Sequence, residues 1–185
     1  MIPDLQDIQV IFVDLQPALI EGSKTNPPEI IAAAAGALLQ ASRILQWPVT
    51  FSIVPVGGKL GEPIPELRND AANTNTFSRT TTNPFLVPAL AETPATKNRS
   101  ALIISGFSAE TAVLQTAFGA LQAGYFVYVP VDAIGSRSER TERAAITEME
   151  RRGATLTSVR SLLLRLTPDL SSAPGSEILK ALGSL

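Results

Sequence analysis

Three places in the sequence combine residue types and settings that suit acid–base chemistry and the stabilisation of negative charge. Asp14 ends the apolar run IQVIFVD (8–14), and a carboxylate there can serve as an acid, a base or the partner of a cation. Arg79 lies in the polar stretch FSRTTTNPF, and an arginine beside such a carboxylate lowers its pKa and can grip an anion through two hydrogen bonds. The stretch SGFSAETAV (105–113) places small residues between a strand and a helix, where free backbone N–H groups favour developing negative charge.

Each of these features also has a purely structural interpretation, which the sequence leaves open. Asp14 can cap a helix or end a solvated strand, and an arginine in a loop is most often a surface residue. The small residues of 105–113 also suit a closely packed turn. Asp132 and Ser136 can line the same rim or close a turn, and the pattern Ser136 to Glu139 favours a capping box at the start of the next helix.

The residue types that the chain lacks exclude several mechanisms. It has no cysteine, which excludes disulfides, thiolate metal sites and a cysteine nucleophile. It has no histidine, so a Ser-His-Asp triad and the commonest metal ligand are excluded as well. Without a dense carboxylate cluster, we expect no metal site and no cofactor.

The charge and hydropathy patterns bound the partners. The net charge is −2 with no basic block, so nucleic acid is not the expected partner. No apolar stretch reaches about 18 residues and no secretory signal pattern opens the chain, so we expect no membrane partner and a cytoplasmic location. A small-molecule ligand is the partner that remains.

The elements that position these residues follow from alternating apolar runs and helix-length segments. Continuous apolarity without alternation is typical of strands buried on both faces of a parallel sheet. Such runs occur at 8–14, 48–54, 100–106, 125–132 and 154–159. Helical segments are predicted at 27–46, 110–123 and 136–153, and a short helix ends the chain.

This order predicts an α/β fold in a single domain that spans residues 1–185. We expect a three-layer α/β/α arrangement, with a mainly parallel, doubly wound (Rossmann-like) sheet of five to six strands and helices on both faces. Ligands of such sheets bind at the carboxyl ends of the strands, where Asp14 and 105–112 fall. The excursion 55–99, with little regular structure predicted before 84–92, brings Arg79 to the same rim.

Four ordered motifs make the chain resemble the isochorismatase-like hydrolase family, which includes nicotinamidases. VIFVDLQPALI is similar to the family's first strand and catalytic aspartate, which falls on Asp14. SRTTTNPF resembles a motif in which a lysine is followed four and six residues later by Ser and Phe; here these positions hold Arg79, Asn83 and Phe85. LIISGFSAETAVLQTAFGALQAGYFVYVPVDAIGSRSE resembles the stretch whose nucleophilic cysteine falls at Ala112, and GATLTSVRSLLLRL resembles the closing strand and helix.

The resemblance implies a site and a mechanism. In the family's amidases the aspartate deprotonates the cysteine, the lysine balances charge and the thiolate attacks an amide carbonyl. A backbone oxyanion hole near a cis peptide then falls at Phe107–Ser108, with N–H donors from Ser108 and Ala112. Asn83, Phe85 and Thr111 fall in the substrate pocket, and the family forms dimers or tetramers, so we expect a homodimer or homotetramer.

The departures at two of the three catalytic positions leave three hypotheses. The first is an enzyme without a covalent intermediate, like true isochorismatases, which hydrolyse a vinyl ether and use the aspartate in proton transfer. Against it, Arg79 is expected to lower the pKa of Asp14 and to make it a poorer acid. The second is a cysteine hydrolase trapped by alanine at position 112, and the third is a non-catalytic ligand-binding or assembly protein.

Overall fold

A parallel sheet of seven strands lies at the centre of the computed structural model, which describes residues 3–92 and 99–185. The strands are β1 (Ile8–Val13), β2 (Val49–Ile53), β5 (Thr76–Ser78), β6 (Ala101–Phe107), β7 (Phe126–Pro130), β8 (Ile134–Gly135) and β9 (Thr155–Thr157). They lie in the order β5-β2-β1-β6-β7-β9, and β8 pairs with the end of β6. A small antiparallel hairpin, β3 (Pro55–Val56) with β4 (Lys59–Leu60), stands apart.

The central strands are those whose sequences are apolar throughout. Every residue of β1 and β6 is buried, as expected for strands covered by helices on both faces. All five predicted strands are confirmed as β1, β2, β6, β7 and β9. The predicted count of five to six is low by at least one, because β5 has three residues in a polar stretch and β8 has two, too short for an apolar run to reveal.

Helices cover both faces of the sheet and complete the three predicted layers. They are α1 (Pro17–Ile20), α2 (Pro28–Leu45), α3 (Pro65–Arg68), α4 (Pro88–Glu92), α5 (Leu114–Gln122), α6 (Glu139–Arg151), α7 (Val159–Leu166) and α8 (Gly175–Ala181). Helices α2, α7 and α8 pack on one face, in a core with Phe12 and Phe51, whose rings stack 5.5 Å apart. Helices α5 and α6 pack on the other face through small residues such as Ala117 and Ala145.

The excursion between β2 and β6 is more ordered than the sequence indicated. It holds the β3–β4 hairpin, α3 and β5 before the predicted region 84–92, which forms a 3-10 turn (Pro84–Leu86) and α4. Prolines stand in the first turns of these short helices, where a missing N–H removes no hydrogen bond. Residues 93–98 of the excursion lie outside the described residues.

The strand order creates the crevice in which a ligand is expected. Strand β1 pairs with β2 on one side and with β6 on the other, and the chain leaves β1 and β6 toward opposite faces of the sheet. The carboxyl ends of β1 and β6 therefore diverge at a switch point, which is where open α/β sheets bind ligands. Strand β7 separates from β6 after Ile103, and the Ser105 hydroxyl bridges the gap to the Ala133 carbonyl (2.8 Å) before β8 pairs again.

Close contact between β1 and β6 at this point gives a first prediction. A Cβ added at Gly106 would stand 2.5 Å from the Val13 carbonyl oxygen, a backbone atom that cannot move aside. We expect Gly106→Ala to lower the free energy of unfolding by about 2–3 kcal/mol, as overpacking of a core does. Urea unfolding measures the change.

Gly36→Ala is the matched control, because a Cβ there would lie 3.5 Å from Glu66 Cβ, an ordinary contact inside α2. Alanine is the better helix former by about 1 kcal/mol, so this variant should be as stable as the parent or more so. Equal stability of the two variants would contradict the close approach at Gly106.

Candidate active site

Asp14 lies where β1 ends and its chain turns away from the sheet. Its φ of 55° is in the left-handed region, which aspartate tolerates better than most residues. Its N–H donates to the Ser52 carbonyl (2.8 Å) and its carbonyl accepts from the Gln16 N–H (2.8 Å). The backbone is thus held on both sides, and the carboxylate is buried at the carboxyl edge of the sheet.

Arg79 follows β5, and its guanidinium reaches Asp14 through the interior. Its Nη2 donates to Asp14 Oδ2 at 2.7 Å, its Nε to Ser52 Oγ at 2.9 Å and its Nη1 to the Thr81 carbonyl at 2.6 Å. The two side chains are only 2% and 9% exposed, so this is a buried ion pair and Arg79 is not a surface residue. Arg79 thus lies at the rim that the sequence indicated as within its reach, and its contact with Asp14 is a finding of the structure; a catalytic role for either residue stays a prediction.

The acidity of Asp14 differs from the sequence-based expectation. The pKa of Asp14 is raised from 3.8 to about 6, because burial raises it by more than Arg79 lowers it. The expectation that Arg79 dominates is wrong because loss of water around the carboxylate costs more than one hydrogen-bonded cation returns. The second oxygen, Oδ1, is buried and has no hydrogen-bond partner among residues 3–92 and 99–185.

The turn after β6 carries the predicted backbone site. The peptide bond Phe107–Ser108 is cis, as the family resemblance implies. A π-helical turn, Ala109–Val113, follows, and the N–H groups of Thr111 and Val113 both donate to the Ser108 carbonyl (3.2 Å each). Ala112 is buried within this turn, where the first N–H groups of a helix lack intrahelical acceptors. An oxyanion hole from Ser108 and Ala112 stays a prediction.

The predicted pocket residues divide into two groups. Thr111 is exposed within the π-helical turn, and its hydroxyl hydrogen-bonds with Ser108 Oγ (2.8 Å). Asn83 instead caps the 3-10 turn by accepting from the Phe85 N–H (2.9 Å), and both side chains pack on Gly119 of α5. The Phe85 ring also contacts Tyr125, 5.9 Å away. These contacts give Asn83 and Phe85 a supporting position on α5, and their contact with substrate stays a prediction.

Asp132 and Ser136 have structural partners. The Asp132 carboxylate accepts from the Val159 N–H (2.9 and 3.2 Å) at the start of α7. The predicted capping box at Ser136 is wrong, because Ser138 is the N-cap of α6 and makes no side-chain cap. Ser136 is fully buried instead, and its hydroxyl donates to Glu110 of the π-helical turn, a contact that sequence spacing does not reveal.

Two residues that sequence reasoning did not assign hold the site together. Ser52 contacts Asp14 through its carbonyl and Arg79 through its hydroxyl. The Gln16 side chain donates to the Val54 carbonyl and accepts from the Val54 N–H, each at 2.9 Å, and so ties the end of β1 to the end of β2. The one sequence signal for Ser52 is a polar residue inside an apolar strand.

Two other classes of feature are absent from the described chain. Within residues 3–92 and 99–185, no group of three or more His, Cys, Asp or Glu side chains is arranged to hold a metal ion. The same ranges contain no helix long and apolar enough to cross a bilayer.

The raised pKa of Asp14 predicts a pH-dependent stability. Between about pH 4 and about pH 6 the folded protein retains a proton that the unfolded chain has released, so the stability contributed by Asp14 falls as pH rises through this window. A shift of about two pH units corresponds to about 3 kcal/mol. Urea unfolding of the parent and of Asp14→Asn from pH 4 to 7 measures it.

The variant serves as the reference because asparagine does not titrate and other groups cancel in the difference. The free energy of unfolding of Asp14→Asn should rise relative to that of the parent between pH 4 and 6 and stay level above. A difference that is flat with pH would show that Asp14 has an ordinary pKa.

Comparisons with known proteins agree with the motifs in the sequence. The isochorismatase domain family model matches residues 9–161. Isochorismatase domain-containing protein 2 of Rattus norvegicus is 33% identical over 158 residues, which cover 84% of this chain and 71% of that protein.

Solved structures share the fold. The MAR1 ribonuclease structure from Caenorhabditis elegans superposes with a TM-score of 0.85 at 28% identity, over 97% of this chain and 91% of that one. The YcaC gene product of Escherichia coli, described as an octameric hydrolase of unknown specificity, has a TM-score of 0.86 at 24% identity, over 96% and 89% of the two chains. At 24% identity, the similarity to the YcaC structure shows a shared fold and nothing about function.

Proposed function

The chain belongs to the isochorismatase domain family, and on that basis we propose that it acts on a small substrate through Asp14 without a covalent intermediate. The substrate classes that fit the family are amides, carboxylates and vinyl ethers. The proposed site is the carboxyl edge of the sheet, between Asp14 and the turn that begins at Ser108.

Ala112 supports the absence of a covalent intermediate. Its methyl group has neither a proton to lose nor a lone pair to donate. Ala112 therefore cannot attack an amide carbonyl as the cysteine thiolate of the family's amidases does. The nearby hydroxyls of Ser108 and Thr111 hydrogen-bond to each other, and the chain has no histidine to activate either.

The observation that carries the proposal is the state of the Asp14 carboxyl group. A pKa of about 6 leaves about one tenth of the groups protonated at pH 7, against about one in a thousand for an ordinary aspartate. Arg79 donates to Oδ2, and Oδ1 accepts no hydrogen bond from the described part of the chain. The Asp14 carboxyl group can therefore hold a proton near neutral pH, give it to a bound substrate and take one back.

Vinyl ether hydrolysis fits this site, because it requires a proton donor such as Asp14 and no nucleophilic side chain. The protonated carboxyl donates its proton to the terminal vinyl carbon, and the positive charge that forms beside the ether oxygen is met by the Asp14 carboxylate. Water adds, the hemiketal breaks to a ketone and an alcohol, and the proton that water loses restores the acid. We expect the N–H groups of Ser108 and Ala112 to bind an acceptor oxygen of the substrate, which requires no particular side chain at position 112.

A non-catalytic ligand-binding protein is the second candidate, because two of the three family catalytic positions are altered. Arg79 supports it, since three of its nitrogens are already engaged inside the protein and leave little capacity to grip a substrate carboxylate. The third candidate, an amidohydrolase trapped by Ala112, fits less well, because an otherwise intact relative would keep lysine at position 79.

For the whole molecule we infer self-association, as a homodimer or homotetramer, in the cytoplasm. The octameric description of the E. coli neighbour supports assembly in this fold without fixing the number of subunits here. The organisation as a single domain over residues 1–185, with no cofactor, remains part of the proposal.

An assay with isochorismate tests acid catalysis by Asp14. We expect pyruvate release whose rate falls as pH rises above about 6, because the reactive form is the protonated carboxyl. Asp14→Asn should lower kcat/KM at least 100-fold, the scale of general acid catalysis. Thermal-shift measurement with carboxylates and amides runs in parallel: stabilisation without turnover would favour the binding protein instead.

Ala112→Cys tests the trapped amidohydrolase. Arg79 does not release a proton in proteins, so it replaces the charge of the family's lysine but not a proton-carrying role. We expect no amidase turnover from the single variant and a gain from Ala112→Cys combined with Arg79→Lys. Release of ammonia from a panel of small amides is the readout, and turnover by the single variant would instead support the trapped form.

A further inference from the structure

The ion pair between Arg79 and Asp14 uses only one carboxylate oxygen. Nη2 donates to Oδ2 at 2.7 Å, whereas Oδ1 is buried and accepts no hydrogen bond from any residue that the structure describes. Arginine and carboxylate pairs frequently form two parallel hydrogen bonds, because the spacing of the two donors matches that of the two oxygens. Burial makes the second bond more valuable, so some feature of the site must prevent it.

Ser52 occupies the donor that the second bond would need. In a guanidinium group, Nε–H and one N–H of Nη2 point from the same edge and form the fork that a carboxylate accepts. On this edge of Arg79, Nη2 bonds Asp14 Oδ2 and Nε bonds Ser52 Oγ at 2.9 Å. The serine hydroxyl therefore stands where the second oxygen of the carboxylate would otherwise be.

The opposite side of the guanidinium is fixed as well. Nη1 donates to the Thr81 carbonyl at 2.6 Å, and the Arg79 N–H donates to the Ile53 carbonyl at 3.0 Å. Because the guanidinium is planar and rigid, bonds from three nitrogens set its orientation. Ser52 is itself held in β2, in register with Val13, and its carbonyl accepts the Asp14 N–H at 2.8 Å.

We propose that Ser52 is a positioning residue whose hydroxyl engages Nε of Arg79 and so keeps Oδ1 of Asp14 without a second hydrogen bond from Arg79. The proposal rests on the proposed function in one respect, namely that the carboxyl group whose proton this arrangement retains is the acid that acts on the substrate. Its content for the empty protein is independent of turnover: removal of the hydroxyl frees Nε to pair with Oδ1, and both carboxylate oxygens then accept from Arg79.

The acidity of Asp14 and the protection of its N–H together separate this role from a merely structural one. A second hydrogen bond to the carboxylate favours the ionised form and lowers the pKa of Asp14. A general loosening of the site that admits water also lowers this pKa, because burial is the main cause that raises it. Such a loosening would break the hydrogen bond from the Asp14 N–H to the Ser52 carbonyl, so that this N–H would exchange with solvent, whereas the positioning role leaves it protected.

The experiment is a carboxyl ¹³C NMR titration of the full chain and its Ser52 variants, with the Asp14 signal assigned by its absence in Asp14→Asn. In the parent we expect a midpoint of about 6. In Ser52→Ala we expect it to fall by at least one pH unit toward the ordinary aspartate value of about 4. Ser52→Cys, which keeps the shape with a weaker acceptor, should shift the midpoint in the same direction and serves if the alanine variant unfolds.

Ser52→Thr is the matched control, because it retains the hydroxyl and suits a strand. It should keep the midpoint of the parent. A midpoint in Ser52→Ala or Ser52→Cys that is unchanged or raised overturns the positioning role. A lowered midpoint with the Asp14 N–H still protected from hydrogen exchange supports it, and a lowered midpoint with that protection lost overturns it. Either result stands even if the parent proves inactive on isochorismate, so failure of the proposed function and failure of this inference are distinguishable.

Discussion

The buried pair of Asp14 and Arg79 is the interaction on which the arrangement of the carboxyl edge depends. A carboxylate in this position loses most of its water, and one cation with one hydrogen bond does not fully replace it. The pair joins the end of β1 to the segment after β5, which lie on either side of β2, so three strands must end at one level. The amide of Gln16 and the backbone of Ser52 serve that alignment.

The proposed chemistry at this edge depends on the raised pKa of Asp14, because Arg79 does not fully replace the water that the carboxylate has lost. It does not depend on a nucleophilic side chain. Ala112 lies in a π-helical turn, which is wider than an α-helical one, and its methyl group packs in the apolar core. The proposed chemistry therefore relies on the Asp14 carboxyl group, which can hold a proton near neutral pH. The proposed reaction begins with protonation, because attack on an acyl carbon would have to come from water.

The sequence predicted the parts of the fold that depend on continuous apolar pattern. Residues 8–14 and 100–106 are apolar because both faces of β1 and β6 are buried, and their order along the chain places Asp14 and Ser108 at one edge. Short elements such as β8 escaped prediction because neighbouring strands, not local sequence, hold them. The pKa of Asp14 was misjudged for a related reason: one cation was visible in the motif, whereas the depth of burial depends on packing from the whole chain.

The left-handed backbone at Asp14 has a consequence for how this position can change over evolution. Glycine and asparagine adopt that conformation readily, and both can arise without disturbing the path of the chain. Glutamate retains the charge but adopts the conformation poorly, and its longer side chain would meet the guanidinium differently. Asparagine and glycine, however, leave the Arg79 guanidinium buried without its counter-charge, so the backbone conformation and the ion pair together restrict position 14 to aspartate.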